Sequence, residues 1–261
     1  MAKNDGNFEM IVKASAGFPL VRIERESFLR KELSKYCSED QVETAIKFNP
    51  AKANISTSKI NDIANKCINY ETNKVSAISF ASGIPGGIAM IATVPADITQ
   101  YFGHVIRILQ KLIYLYGWDQ LYGSEEEMDD ETTQMLTLFI GVMFGINGAA
   151  AAIRKISVSA SQKMTKSIAS KALTKGTLYP IVKKVSQTLG IKMTKGLFAK
   201  NIAKVVPILG GITSGGLTYI SFKPMAHRLK NYLVTLKFAD PEFYKNQENI
   251  NLNEQDVIIM E

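Results

Sequence analysis

The chain is 261 residues long, 46% hydrophobic and 21% charged, with a formal net charge of +7 and a mean hydropathy of +0.01. That length and apolar content allow a sizeable core in one or two domains and exclude disorder, collagen and simple coiled coil. Two cysteines, Cys37 and Cys67, with no CxxC pair exclude a disulfide scaffold and a cysteine-only zinc site, and two histidines, His104 and His227, leave little for metal or triad chemistry.

Taken in chain order, nearly every element reads as helix. Residues 1–18 carry acids among their few lysines and lack the apolar run of a signal peptide, so they are expected to be a flexible N-terminus on a cytoplasmic protein. Pro19 opens a helical pattern that runs through LVRIERESFLRKELSKYC. Ser38 with Gln41 three residues on forms a capping box for the next helix, which stops before Asn49-Pro50. Residues 56–82 form a long helical pattern broken by Gly83 and Pro85, and residues 97–116 form another that ends at Gly117. Ser124 and Glu127 supply a second capping box. The acids Glu125, Glu126, Glu127, Asp129, Asp130 and Glu131 fall where a helix N-terminus favours negative charge, and they lack the spacing and glycine of a calcium loop. No run alternates long enough for a sheet. The expected fold is all-α: one compact domain of about eight to ten helices over 19–238, with glycine-rich apolar core helices and an acidic, Asn-rich tail at 239–261.

Three stretches carry no charge: 75–96, 132–153 and 205–222. Each reaches or nears the ~20 residues that cross a bilayer. The first contains Pro85, Gly86, Gly87 and Pro95, and the third Pro207, Gly210 and Gly211, all helix breakers. The second, TTQMLTLFIGVMFGINGAAAAI, is the best spanning candidate and reads equally as a buried core helix. Two GxxxG spacings, Gly141 to Gly145 and Gly211 to Gly215, fit close helix–helix approach in either setting.

The charges are segregated. Residues 132–239 hold sixteen lysines and arginines and no carboxylate, whereas the flanking regions are net acidic. Within that half a lysine pattern repeats at a shift of 29 residues: Lys163, Lys166, Lys171 and Lys175 align with Lys192, Lys195, Lys200 and Lys204. In the second copy Leu197, Phe198 and Ile202 cluster opposite the lysines, as in a cationic amphipathic helix lying on an anionic membrane surface. Nucleic acid is the less favoured partner, because the lysines are spread among apolar helices with few aromatics to stack bases.

Several segments taken together resemble the EcsC family of bacterial proteins: Gly83-IPGGIAMIATVPAD with the YFGH and YLYGW blocks up to Trp118, residues 131–153, residues 176–204, and residues 205–233 with their Val206-Pro-Ile-Leu-Gly-Gly211 block. The matching motif positions are Pro85, Gly86, Gly87, Pro95, Asp97, Gly117, Pro207, Gly210 and Gly211. The resemblance implies a helical, membrane-associated protein with no agreed catalytic residues. The family is named for a member encoded beside an ABC transporter, which makes a transporter or another membrane protein an expected partner.

Phosphate-binding loops, HExxH and the GxSxG elbow are absent, and no metal or cofactor is expected. One polar stripe remains: Asp97, Gln100, Tyr101, His104 and Lys111 share a face of the 97–116 helix. Asp97 and His104 could share a metal or act as acid and base in a hydrolase-like enzyme. The favoured reading is structural, with Asp97 capping its helix and pairing with Lys223, His227 or Arg228 in a buried polar cluster with Tyr101 and His104. The leading function is a non-enzymatic protein at the anionic inner face of the cell membrane.

Overall fold

In the computed structural model the described residues are 5–80, 96–121, 128–162, 179–192 and 214–247, and they form helices with no strand among them. The helices are α1 (Asp5–Ala16), α2 (Arg25–Leu33), α3 (Glu39–Lys47), α4 (Thr57–Phe80), α5 (Ala96–Leu115), α6 (Asp130–Met143), α7 (Ala149–Gln162), α8 (Tyr179–Lys192) and α9 (Ser214–Leu233). Short 3-10 turns occupy Pro19–Val21 and Lys237–Ala239, and residues 241–247 are again helical.

Helix α5 is the centre of the fold. It packs against α1, α2, α4, α6 and α9, and Phe102, Val105, Ile106, Ile108, Leu109, Leu112 and Ile113 are fully buried along it. A helix apolar on nearly every side is stable only when enclosed. Helices α4 and α9 form the most extensive helix–helix contact, and α6 lies against α7, α8 and α9.

The expected capping box is present at α3: the Ser38 hydroxyl accepts from the Gln41 amide and the Gln41 side chain accepts from the Ser38 amide, both at 3.4 Å. After Pro19, however, the chain does not run on as one helix. The Gln110 side chain on α5 takes the Ile23 N–H (2.9 Å) and donates to the Val21 carbonyl (2.8 Å), which removes both groups from a helical ladder. Helix α2 starts at Arg25 instead, capped by the Glu24 carboxylate, which accepts from the Glu26 and Ser27 amides. Arg25 is buried, and its guanidinium donates to the carbonyls of Ala45, Ile46 and Phe48 at the end of α3 and of Trp118 after α5. It ties three elements together through otherwise unpaired helix-end carbonyls.

The packed body is longer than 19–238. Residues 5–16, expected to be flexible, form α1, whose Phe8, Ile11, Val12 and Ala16 are buried and whose Phe8 ring meets Phe102 edge-on at 5.8 Å. Beyond 238, Tyr244 packs on the core and accepts a hydrogen bond from Asn49 at 2.7 Å. The Ser124–Glu127 box lies outside the described residues; α6 begins at Asp130 with Asp129 as its cap, accepting from Thr132 N–H at 2.6 Å.

Residues 132–153 are not one span. Helix α6 stops at Met143, Gly145 (φ +66°) turns the chain, the Ile146 amide reaches back to the Gly141 carbonyl at 2.8 Å, and α7 starts at Ala149. The same motif ends α5, where Gly117 has φ +95° and the Trp118 amide bonds the Ile113 carbonyl. Among the described residues no helix is long and apolar enough to cross a membrane. The Gly141–Gly145 spacing therefore serves two separate purposes: Gly145 makes the turn, and Gly141 lets α6 approach its neighbours. Gly211 and the rest of the 205–213 segment lie outside the described residues.

A Cβ at Gly141 would sit 2.6 Å from Val185 Cγ1 on α8 and 2.9 Å from Ala149 Cβ on α7. Gly141→Ala gains about 1 kcal/mol of helix propensity yet overpacks rigid neighbours at a cost of about 1–3 kcal/mol. Urea unfolding is expected to show the variant less stable than wild type; a more stable variant would mean that α6 and α8 are not this close.

Candidate functional site

The strongest constellation of ionisable groups lies between α4 and α5. On α4 the buried face runs Ile60, Ile63, Ala64, Cys67, Ile68, Glu71, Thr72 and Val75, so Glu71 occupies a core position and is fully buried. On α5, His104, Arg107 and Lys111 fall at helical intervals facing it. Lys111 Nζ lies 2.7 Å from Glu71 Oε1, Arg107 Nε lies 3.5 Å from the same oxygen, and His104 Nδ1 lies 3.7 Å from Oε2. These three side chains are themselves largely enclosed, with exposures of 9% for His104, 18% for Arg107 and 12% for Lys111.

Burial pushes the Glu71 carboxyl up, but the facing imidazole, the Lys111 ammonium and the Arg107 guanidinium outweigh it and bring it down to about 2. A carboxylate held that low is ionised near neutral pH, so Glu71 serves as the counter-ion of Lys111 and Arg107. The Glu71 Oε2, His104 Nδ1 and Arg107 Nε atoms make no hydrogen bond. Cys67, one turn before Glu71, is buried, and desolvation pushes its thiol up to about 12.

Glu71 was not legible as a site residue, although one signal was present: it is a lone carboxylate on the apolar stripe of α4. The polar stripe on α5 is only partly one unit. His104 and Lys111 join Glu71, while Tyr101 faces the other way, with Ser221 beside its hydroxyl and its ring against Phe102 and Phe222. Asp97 stands in the first turn of α5, and its side chain lies outside the described residues. Arg228 is exposed and donates to the Met143 carbonyl at 2.6 Å, beside Gly145. The expectation of a buried Arg228 in need of a carboxylate is thus corrected: the C-terminus of α6 satisfies it. Lys223 and His227 are half-buried on α9, and burial, with Lys230 and Lys223 nearby, lowers the His227 imidazole.

A second feature is a basic face. Helices α7 and α8 pack together, contain no carboxylate, and turn Arg154, Lys155, Lys183 and Lys184 to solvent. Val158 and Tyr179, exposed at 44% and 48%, lie on the same two helices. Lys192 ends α8; its side chain, and all of Lys163, Lys166, Lys171, Lys175, Lys195, Leu197, Phe198, Lys200, Ile202 and Lys204, lie outside the described residues, as do Pro85, Gly86, Gly87, Pro95, Pro207 and Gly210. Among the described residues no three His, Cys, Asp or Glu side chains converge to hold a metal ion.

The chain matches no protein-family model, no curated protein and no solved structure.

Glu71→Gln leaves Arg107 and Lys111 without their counter-ion, and a loss of about 3 kcal/mol is expected from stranding buried charge. Because the folded carboxyl lies below its ordinary 4.5, at about 2, its contribution is complete above that ordinary value and is lost as pH falls from 4.5 towards 2. Denaturant titrations of wild type and variant should therefore converge as pH drops through this window. A gap that stays constant would remove Glu71 from the account.

Proposed function

We propose that this is a non-enzymatic helical protein that associates with the anionic cytoplasmic face of a membrane, binding lipid phosphates and meeting a transporter or another membrane protein there. The observation that carries the reading is the α7–α8 face. Its four exposed cations stand on helices with no carboxylate of their own, next to an exposed valine and tyrosine. Tyrosine is at home where an apolar body meets a wet headgroup layer. Each lysine or arginine near an anionic leaflet contributes about 1 kcal/mol, and the attraction is screened over ~8 Å at physiological salt. Exposed cations of this kind give salt-sensitive affinity. The acid-free 132–239 region and its lysine repeat supply more charge of the same sign, and the resemblance to the EcsC family points the same way.

Purified protein is expected to float with phosphatidylglycerol vesicles at low salt, poorly with phosphatidylcholine vesicles, and less with either as salt rises. Changing Arg154, Lys155, Lys183 and Lys184 to Gln should remove much of the preference, and so should changing Lys192, Lys195, Lys200 and Lys204 to Gln. Equal flotation with neutral and anionic vesicles, or none with either, defeats the reading. Competition by RNA for the same lysines would move it to nucleic acid.

A further inference from the structure

Asn147-Gly148 is the one Asn-Gly step in the chain, and the fold places it on the surface turn between α6 and α7. The turn requires its glycine: Gly148 has φ +93°, a conformation that residues with a Cβ rarely adopt. It does not require the asparagine, whose exposed side chain makes no hydrogen bond among the described residues. Other groups hold the turn. The Ile146 amide bonds the Gly141 carbonyl at 2.8 Å, the Ala149 amide the Ile146 carbonyl at 3.3 Å, and the Ala152 amide the Gly148 carbonyl at 3.0 Å. The exposed Gly148 amide itself has no acceptor among the described residues.

An exposed carboxamide thus stands one residue before a nitrogen that carries no hydrogen bond and has no side chain to shield it. That is what ring closure needs. The Gly148 nitrogen, once deprotonated, attacks Asn147 Cγ; the N–Cγ bond forms, the Cγ–Nδ2 bond breaks, and the amine leaves as ammonia, taking back a proton from water. Water then opens the succinimide at either carbonyl. Opening at Cγ gives aspartate, and opening at the main-chain carbonyl gives isoaspartate, with the backbone rerouted through Cβ and Cγ. Water is the only co-reactant, and nothing is oxidised or reduced. Positive surroundings favour the amide anion: residues 132–239 hold no carboxylate, and the exposed Arg228 is seated on the Met143 carbonyl of the same turn.

Other exposed asparagines lack part of this arrangement. After Asn54 the next amide belongs to β-branched Ile55 and is bonded to the Pro50 carbonyl at 3.1 Å. Asn69, Asn73 and Asn231 stand inside α4 and α9, where the amide that follows is taken up by the helical ladder.

We infer that Asn147 is a site of spontaneous modification: water converts it, through a succinimide with Gly148, to aspartate and isoaspartate, and so places the first carboxylate in the acid-free 132–239 region. The inference stands apart from the proposed membrane association. Aspartate at 147 suits the fold, because it lies just before α7, where a helix N-terminus favours negative charge. Isoaspartate does not, because it lengthens the backbone by a methylene inside the Ile146–Ala149 hydrogen-bonded turn.

The test ages the full chain, folded, in warm and mildly alkaline buffer, beside the same chain held unfolded in urea. Peptide mapping reads conversion at each asparagine as a gain of about one mass unit, and enzymatic carboxyl methylation reports isoaspartate. In the folded chain residue 147 should convert ahead of Asn54, Asn69, Asn73 and Asn231, at a rate near that in urea, and faster as pH rises. Asn147→Gln should slow conversion at this position at least about tenfold, because the extra methylene takes the carbonyl out of five-membered ring geometry. Asn147→Asp should keep the wild-type unfolding midpoint, whereas the isoaspartate fraction, separated by ion exchange, should unfold earlier. Conversion at 147 only in urea, or in the folded chain no faster than at Asn54 or Asn69, overturns the inference. An Asn147→Asp variant as unstable as the isoaspartate fraction overturns the distinction drawn between the two products.

Discussion

Helix α5 is enclosed by five other helices, and an enclosed helix cannot leave its polar side chains to water. Several polar groups on it therefore dictate something about a neighbour. Gln110 fixes the path of the chain from Val21 to Ile23, and the Tyr114 hydroxyl accepts from the Leu121 amide and so directs the exit after Trp118. His104, Arg107 and Lys111 require a carboxylate on whatever helix faces them, which sets the rotation of α4 about its axis so that Glu71 points inwards. An α4 turned by one residue would carry Glu71 away from Arg107 and Lys111 and leave those two charges without it. The cluster thus enforces one arrangement of two long helices that apolar packing alone would specify less sharply.

The two groups of cations meet desolvation in opposite ways. On α5 the positive charge is largely out of water and is answered within the protein by one carboxylate. On α7 and α8 it stays in water, on helices that carry no carboxylate. The first arrangement contributes to the fold and costs the surface nothing. The second contributes little to stability, since exposed charges are screened, and it adds to the positive field at the surface of an acid-free region. That surface field is the physical content of an acid-free stretch of more than a hundred residues.

How much of this was readable from the sequence depends on the range of each interaction. The capping box at Ser38 and Gln41 spans three residues, and the glycine stop at Gly117 is local, so both were legible. The break after Pro19 was not, because the groups that interrupt the helix are claimed by Gln110, almost ninety residues away. The α5 stripe was visible as a stripe with Asp97 as its acid, yet the carboxylate that Lys111 meets is Glu71, forty residues before it on another helix. Gly141 and Gly145 looked like one motif because spacing alone does not say where a helix ends. The charge segregation needed no partner information and was plain from composition.

Cys67 gives the α4–α5 interface a further property. Its thiol lies under the same contacts that enclose Glu71, and desolvation keeps it protonated far above neutral pH. Thiolate is the reactive form, so the sulfur stays chemically silent while it is buried among its neighbours. Cys37 is only half-buried and exchanges on a different schedule. Reaction of Cys67 with a disulfide reagent therefore requires a local opening around α4 that brings the buried sulfur to water.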